Sequence, residues 1–267
     1  MKCIFCKQPS DNSESVEHII PEALGNTDHI LEKGIVCDKC NNYFAIKIEK
    51  PLLQLPYFIS SRHRNDIKSK KGRIPIEKGI LLSPTPSIVN FHRDKEGKSI
   101  SLEDEKLIDF IQGNNTFSII IPVNERPPAN NIYISKFLGK VGLEALAKIG
   151  EGIDGGLQEI VDKVELDAIR NYVRYGQGKY WEYHCRPLYN ENKLFEDGKE
   201  NEAYQVLHEY KILYTDNFQL LIVVAILGVE YCLDLGKPTT ETYVSWLKTN
   251  NYLSPLYHNS STRTKNE

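Results

Sequence analysis

The chain has 267 residues, of which 40% are hydrophobic and 26% charged, and a formal net charge of -3. This balance excludes a disordered composition and leaves ample apolar surface to bury. The slight negative charge excludes the whole-surface basicity of a histone-like or architectural protein, so any contact with nucleic acid must come from a local basic cluster.

Cys3 and Cys6, and then Cys37 and Cys40, form two Cys-x-x-Cys pairs, while Cys185 and Cys232 stand alone. Paired spacing of this kind fits metal binding in a reducing cytoplasm better than a secreted disulfide framework. The opening MKCIFCK lacks the apolar stretch of a signal peptide. The longest apolar run, 220–229, is too short to span a bilayer. A cytoplasmic location with no membrane contact is therefore expected. The length suits a small module followed by a larger region. The boundaries expected are 1–58 for the module, 59–258 for the larger region and 259–267 for a polar, disordered tail.

At the N-terminus, two residues between cysteines let both thiolates of a tight turn reach one tetrahedral zinc, and two such turns complete a closed four-thiolate structural site. Between the knuckles, Val16-Glu17-His18-Ile19-Ile20-Pro21 alternates as a short strand that Pro21 closes. In a strand the adjacent Glu17 and His18 point to opposite sides. Gly25-Asn26 reads as a loop, and 34–37 as a second strand that forms a hairpin with the first. A helix is expected from Asp38, its N-cap, through Asn41, with an apolar face continuing toward Leu52. Taken singly, Glu17 reads as a solvated acid, His18 as a packed core histidine and Asn41 as a local cap. Taken together between two zinc knuckles they read as chemistry. An imidazole can take a proton from a water attacking phosphorus, and a carboxylate can hold a divalent cation beside it.

The string EHIIP, GN, HIL and GIVCDKCNN resembles the HNH endonuclease family, over roughly residues 3–53. The resemblance implies a ββα-metal fold around one divalent ion, Mg²⁺ or Mn²⁺, with the four cysteines holding a structural Zn²⁺. It implies His18 as the general base, and Glu17 and Asn41 as ligands of the catalytic ion. The middle polar residue of the family's motif falls on His29, with Asn26 as the second candidate. The substrate it implies is DNA, cut at phosphodiester bonds. The setting it implies is bacterial restriction or antiphage defence, with a partner protein or a homodimer to be expected.

Beyond the module, Ser60 to Arg73 carries Arg62, Arg64, Lys68, Lys70, Lys71 and Arg73. A charge run is ordinarily a solvated face; beside a nuclease module the same run reads as sequence-independent contact with phosphates. Short strands interrupted by prolines are expected over 76–90, a helix over 102–112 and a firmer strand over 116–123. Helices follow over 135–149 and 157–175, from apolar residues at helical spacing. Aromatics alternate with cations over 174–186, which suits either a packed edge or stacking on bases. Strands over 204–214, 218–228 and 229–235 and a helix over 241–248 complete an α+β reading. The function expected is a metal-dependent HNH endonuclease. The alternative is a non-catalytic zinc module that binds nucleic acid or protein.

Overall fold

The computed structural model describes residues 1–82, 85–94, 97–102, 106–113, 116–122, 124–196 and 203–257; the expected tail at 259–267 lies outside the described residues. The fold is mixed α and β, as the patterning indicates. The chain packs as two units, one joining Met1–Leu52 to Ala129–Glu267 and the other formed by Leu53–Pro128. The region 59–258 is thus divided, and most of it shares a unit with the N-terminal module.

The module opens on a short strand β1 (Glu17–His18) paired antiparallel with β2 (Ile30–Leu31), so that Glu17 faces Leu31 and His18 faces Ile30. The second strand therefore lies earlier than the expected 34–37. The reason is local: Gly34 sits at a left-handed φ of 91° and turns the chain, while Ile35 and Val36 are buried beneath the first knuckle. There the carbonyl of Ile35 accepts the amide of Ile4 at 3.0 Å.

Helix α1 (Asp38–Phe44) follows, passes through a π turn at Ala45–Glu49 and continues as α2 (Lys50–Leu53). Its N-cap is Cys37 rather than the expected Asp38. The Asp38 carboxylate reaches outward instead and accepts the Ser15 amide at 2.8 Å and the Ser15 hydroxyl at 2.5 Å, tying the approach to β1 onto the helix start. A π turn widens the helix by one residue and shifts every later side chain around the axis. Glu49 ends that turn.

The second unit begins with α3 (Pro56–Arg64). It then builds a four-stranded antiparallel sheet in the order β5 (Gly97–Leu102), β4 (Ser87–Asp94), β3 (Glu77–Leu81), β6 (Ile119–Ile120), with α4 (Lys106–Gly113) between β5 and β6 in sequence. Leu81, Val89 and Leu107 are its buried centre. The expected strand over 116–123 is paired only at Ile119–Ile120 among the described residues.

The remainder of the first unit is organised by α5 (Ile132–Glu151), capped by Asn131, whose side chain accepts the amides of Tyr133 and Ile134. Lys136 apart, every residue from Ile134 to Ala147 is buried, so this is a central helix and not an amphipathic one. Gly142 lets it lie close on the sheet: a Cβ there would come within 2.5 Å of Leu235. The expected helix over 157–175 is broken into α6 (Gly156–Asp162), a 3-10 turn at Val164–Leu166 and α7 (Asp167–Tyr175). Lys163 turns extended at the break, and Arg170 donates to the freed carbonyls of Ile160 and Lys163.

The strands that follow are β7 (His184–Pro187), β8 (Leu194–Glu196), β9 (Ala203–Gln205), β10 (His208–Tyr214), β11 (Leu220–Ile226) and β12 (Val229–Asp234), and α8 (Glu241–Thr249) comes last. The main sheet runs β10-β11-β12-β7, all antiparallel, with β8 and β9 as a separate hairpin. The single strand expected over 204–214 is thereby split between two sheets. Leu221, Val223 and Cys232 pack against Tyr243 and Leu247 of α8. Among the described residues no helix is long and apolar enough to cross a membrane.

Candidate functional site

The sulfurs of Cys3, Cys6, Cys37 and Cys40 all lie within 4.8 Å of one another. Tetrahedral zinc with bonds of about 2.3 Å needs sulfurs about 3.8 Å apart. The Cys6 and Cys37 sulfurs are 3.7 Å apart, which fits. Each knuckle bends its backbone onto the cluster, as where the Cys37 amide points at the Cys3 sulfur at 3.4 Å. The hydrogen bond from Cys40 holds the Cys3 thiol down, at about 5, whereas burial pushes the Cys6 thiol up to about 11. A dication among these sulfurs favours the thiolate at every position.

The staple is braced from α7. Arg174 donates from Nε to the Cys40 sulfur at 3.2 Å while its guanidinium lies 4.1 Å from the Tyr43 ring centre. Four thiolates on one Zn²⁺ carry a surplus of negative charge, which a cation at this distance offsets. Arg170, fully buried, donates to the carbonyl of Ile4 inside the first knuckle at 2.8 Å. Phe5 meets Phe44 edge to face at 4.4 Å, locking the knuckle onto α1.

Strand β1 sends its two residues to opposite sides, as the alternation requires. His18 is partly exposed, and its Nε2 lies 3.2 Å from Glu22 Oε1. A carboxylate at Nε2 fixes the proton on that nitrogen. Nδ1 is buried and has no hydrogen-bond partner. Glu17 points inward, 5% exposed, and burial pushes its carboxyl above the usual range. Its Oε1 lies 2.7 Å from Lys140 Nζ, and its Oε2 has no partner.

Asn26 is buried and spends its whole amide on the backbone. Nδ2 donates to the carbonyls of Ile20 at 2.6 Å and His29 at 3.0 Å, and Oδ1 accepts the amides of Asp28 and His29 at 3.0 and 2.9 Å. It shapes the loop that leads out of β1, together with the left-handed Gly25 at φ 88°. His29 is partly exposed and stacks edge to face on His208 at 5.4 Å and Tyr210 at 5.0 Å, both on β10. Its ring is engaged with β10, whereas that of His18 meets Glu22. Asn41, one turn into α1, donates from Nδ2 to the Val16 carbonyl at 3.1 Å, joining the helix to β1. This leaves its amide oxygen as the atom it can offer a cation.

Of the basic run, Arg62 is buried and drops out of any phosphate-facing set. Arg64 is partly buried and reaches Ser61. Lys68, Lys70, Lys71 and Arg73 are exposed. Lys68 and Arg73 line a cavity of about 450 Å³ together with His92 and Arg93 of β4, opposed by Asp94.

Residues 3–55 match the HNH endonuclease family. No curated protein and no solved structure matches the chain. The HNH segment contains the cysteine cluster, Glu17, His18, Asn26, His29 and Asn41. Glu22 was not singled out from the sequence; its signal is a carboxylate four residues after the histidine. Lys140, Arg170 and Arg174 lie far outside it, and no local motif marks them. The one signal for Lys140 is the pair Lys140 and Glu144, charges four apart within the otherwise apolar stretch 137–147 of α5.

Proposed function

We propose that this protein is a metal-dependent endonuclease that hydrolyses DNA phosphodiester bonds. The observation that carries the reading is His18, on the strand of a zinc-stapled HNH segment, with Nε2 held by Glu22 and Nδ1 without a partner. In the proposed reaction the His18 imidazole takes a proton from water as the water oxygen bonds to phosphorus, the P–O bond opposite breaks, and the leaving oxygen is protonated from solvent. Glu17, through its unpartnered Oε2, and Asn41, through its amide oxygen, would hold Mg²⁺ or Mn²⁺. When bound, that ion supplies charge stabilisation at the phosphate and the leaving oxygen. Asn26 keeps the loop after β1 in shape, and His29 is the residue of that loop still able to meet a phosphate.

Supercoiled plasmid incubated with the zinc-loaded protein should be nicked in Mg²⁺ or Mn²⁺ and left intact in EDTA. Intact plasmid and intact RNA under all conditions would instead make the segment a non-catalytic binding module. Lys68, Lys70, Lys71 and Arg73 are the proposed contacts to the DNA backbone, from the second unit. Each phosphate contact contributes about 0.9 to the log-log salt dependence of binding. Replacing Lys68 and Arg73 together with Gln should therefore lower that slope by about 2, as read by fluorescence anisotropy on a labelled duplex. An unchanged slope would remove both residues from the interface. A role in restriction or antiphage defence, with a partner protein or as a homodimer, belongs to the same proposal. Its test is whether deleting the gene raises phage plating efficiency on its host.

A further inference from the structure

Lys140 sits in the middle of α5 and is fully buried. Its ammonium lies 2.7 Å from Glu17 Oε1, 3.0 Å from Glu49 Oε1, 3.0 Å from Glu144 Oε2 and 3.0 Å from the carbonyl oxygen of His18. An ammonium has three N–H donors, so these oxygens share them. The acceptors come from β1, from the π turn after α1, and from α5 itself.

A buried ion cluster of this kind is a poor device for stability, because apolar side chains of similar volume would serve as well or better. What an apolar side chain could not do is bond at once to the side chain of Glu17 and the main chain of His18. Those are the adjacent residues to which the proposed function assigns the metal and the proton. We infer that Lys140 is a positioning residue of the catalytic centre. It clamps Glu17 by one oxygen and leaves the other, which is buried, without a partner, and it anchors the peptide from which the His18 side chain extends. Glu144 and Glu49 hold the lysine in turn. The HNH segment is on this account incomplete without α5. The inference rests on the proposed roles of Glu17 and His18.

The variants that test it are Lys140→Met and the charge-relieved double variant Lys140→Met/Glu144→Gln, each as the full zinc-loaded chain. The first measurement is Mn²⁺ affinity, from the EPR signal of free Mn²⁺, with Glu17→Gln as the control that should abolish binding. The second is plasmid nicking at saturating Mn²⁺. Removing a cation from beside Glu17 should tighten Mn²⁺ binding at least threefold while nicking slows at least 30-fold. Loss of fold would weaken both together and cannot produce that split. If the double variant keeps its zinc, binds Mn²⁺ as the wild type does and nicks at the wild-type rate, Lys140 is only a structural ion-pair partner. If Glu17→Gln binds Mn²⁺ normally, the metal assignment fails, and the nicking rate alone decides on Lys140. If the wild type does not nick at all, the proposed function fails, and the Mn²⁺ affinities alone decide.

Discussion

Cys37→Ser, or exhaustive removal of metal by a strong chelator, is expected to unfold the N-terminal module. Structural zinc in small modules contributes about 10–16 kcal/mol, comparable to or larger than the roughly 5–15 kcal/mol that separates a whole domain from its unfolded state. The module's own secondary structure is slight, so apart from zinc it relies on the packing of α5 and α7 against it. Its hairpin is the two-residue pairing of β1 with β2, and a lone hairpin is marginal in water. Arg174 would lose the thiolate it faces at 3.2 Å. Cys37 supplies a thiolate at the start of α1 and makes no side-chain cap there, so the substitution acts on the helix that carries Asn41 through the lost metal bond alone. Zinc content by atomic absorption and helicity by circular dichroism should fall together. A Cys37→Ser protein that stays folded with a full complement of zinc would mean that the ligand set is wrong.

His18→Ala should leave the fold intact and reduce DNA cleavage by at least about 100-fold, the lower end of what a positioned general base contributes. The two effects separate because the side chain is partly exposed and its hydrogen-bond contact is with Glu22, itself about a third exposed. Surface contacts of that kind contribute within about 1 kcal/mol to stability. Thermal midpoint and zinc content should therefore match the wild type while the rate collapses. Glu22→Gln should lie between: the amide can still face Nε2 but no longer favours a proton on it, so the loss should be nearer tenfold.

The sequence was legible wherever the signal was local. Cysteine spacing located the zinc cluster because ligands on tight turns must be close in the chain. Alternation in VEHIIP put Glu17 and His18 on opposite sides of β1. The second strand was misplaced because 34–37 is apolar for a different reason: Ile35 and Val36 are buried under a knuckle, while Gly34 turns the chain out of any ladder. The helix over 157–175 looked continuous because its apolar spacing survives the break at Lys163, where Arg170 satisfies the carbonyls from a distance in sequence. The basic run misled at Arg62, since charge alone does not say which side of α3 a residue occupies. Least legible of all was the support for the site. Lys140, Arg170 and Arg174 are ordinary helix residues in the sequence and meet the HNH segment only once α5 and α7 are packed on it.

The most direct measurement is a single-turnover time course of plasmid nicking in Mg²⁺ or Mn²⁺, comparing wild type with His18→Ala at equal zinc content and adding EDTA at the end. The account predicts rapid nicking by the wild type that EDTA stops, and a rate at least about 100-fold lower for the variant. Equal rates for the two proteins, or nicking that continues in EDTA, would contradict it.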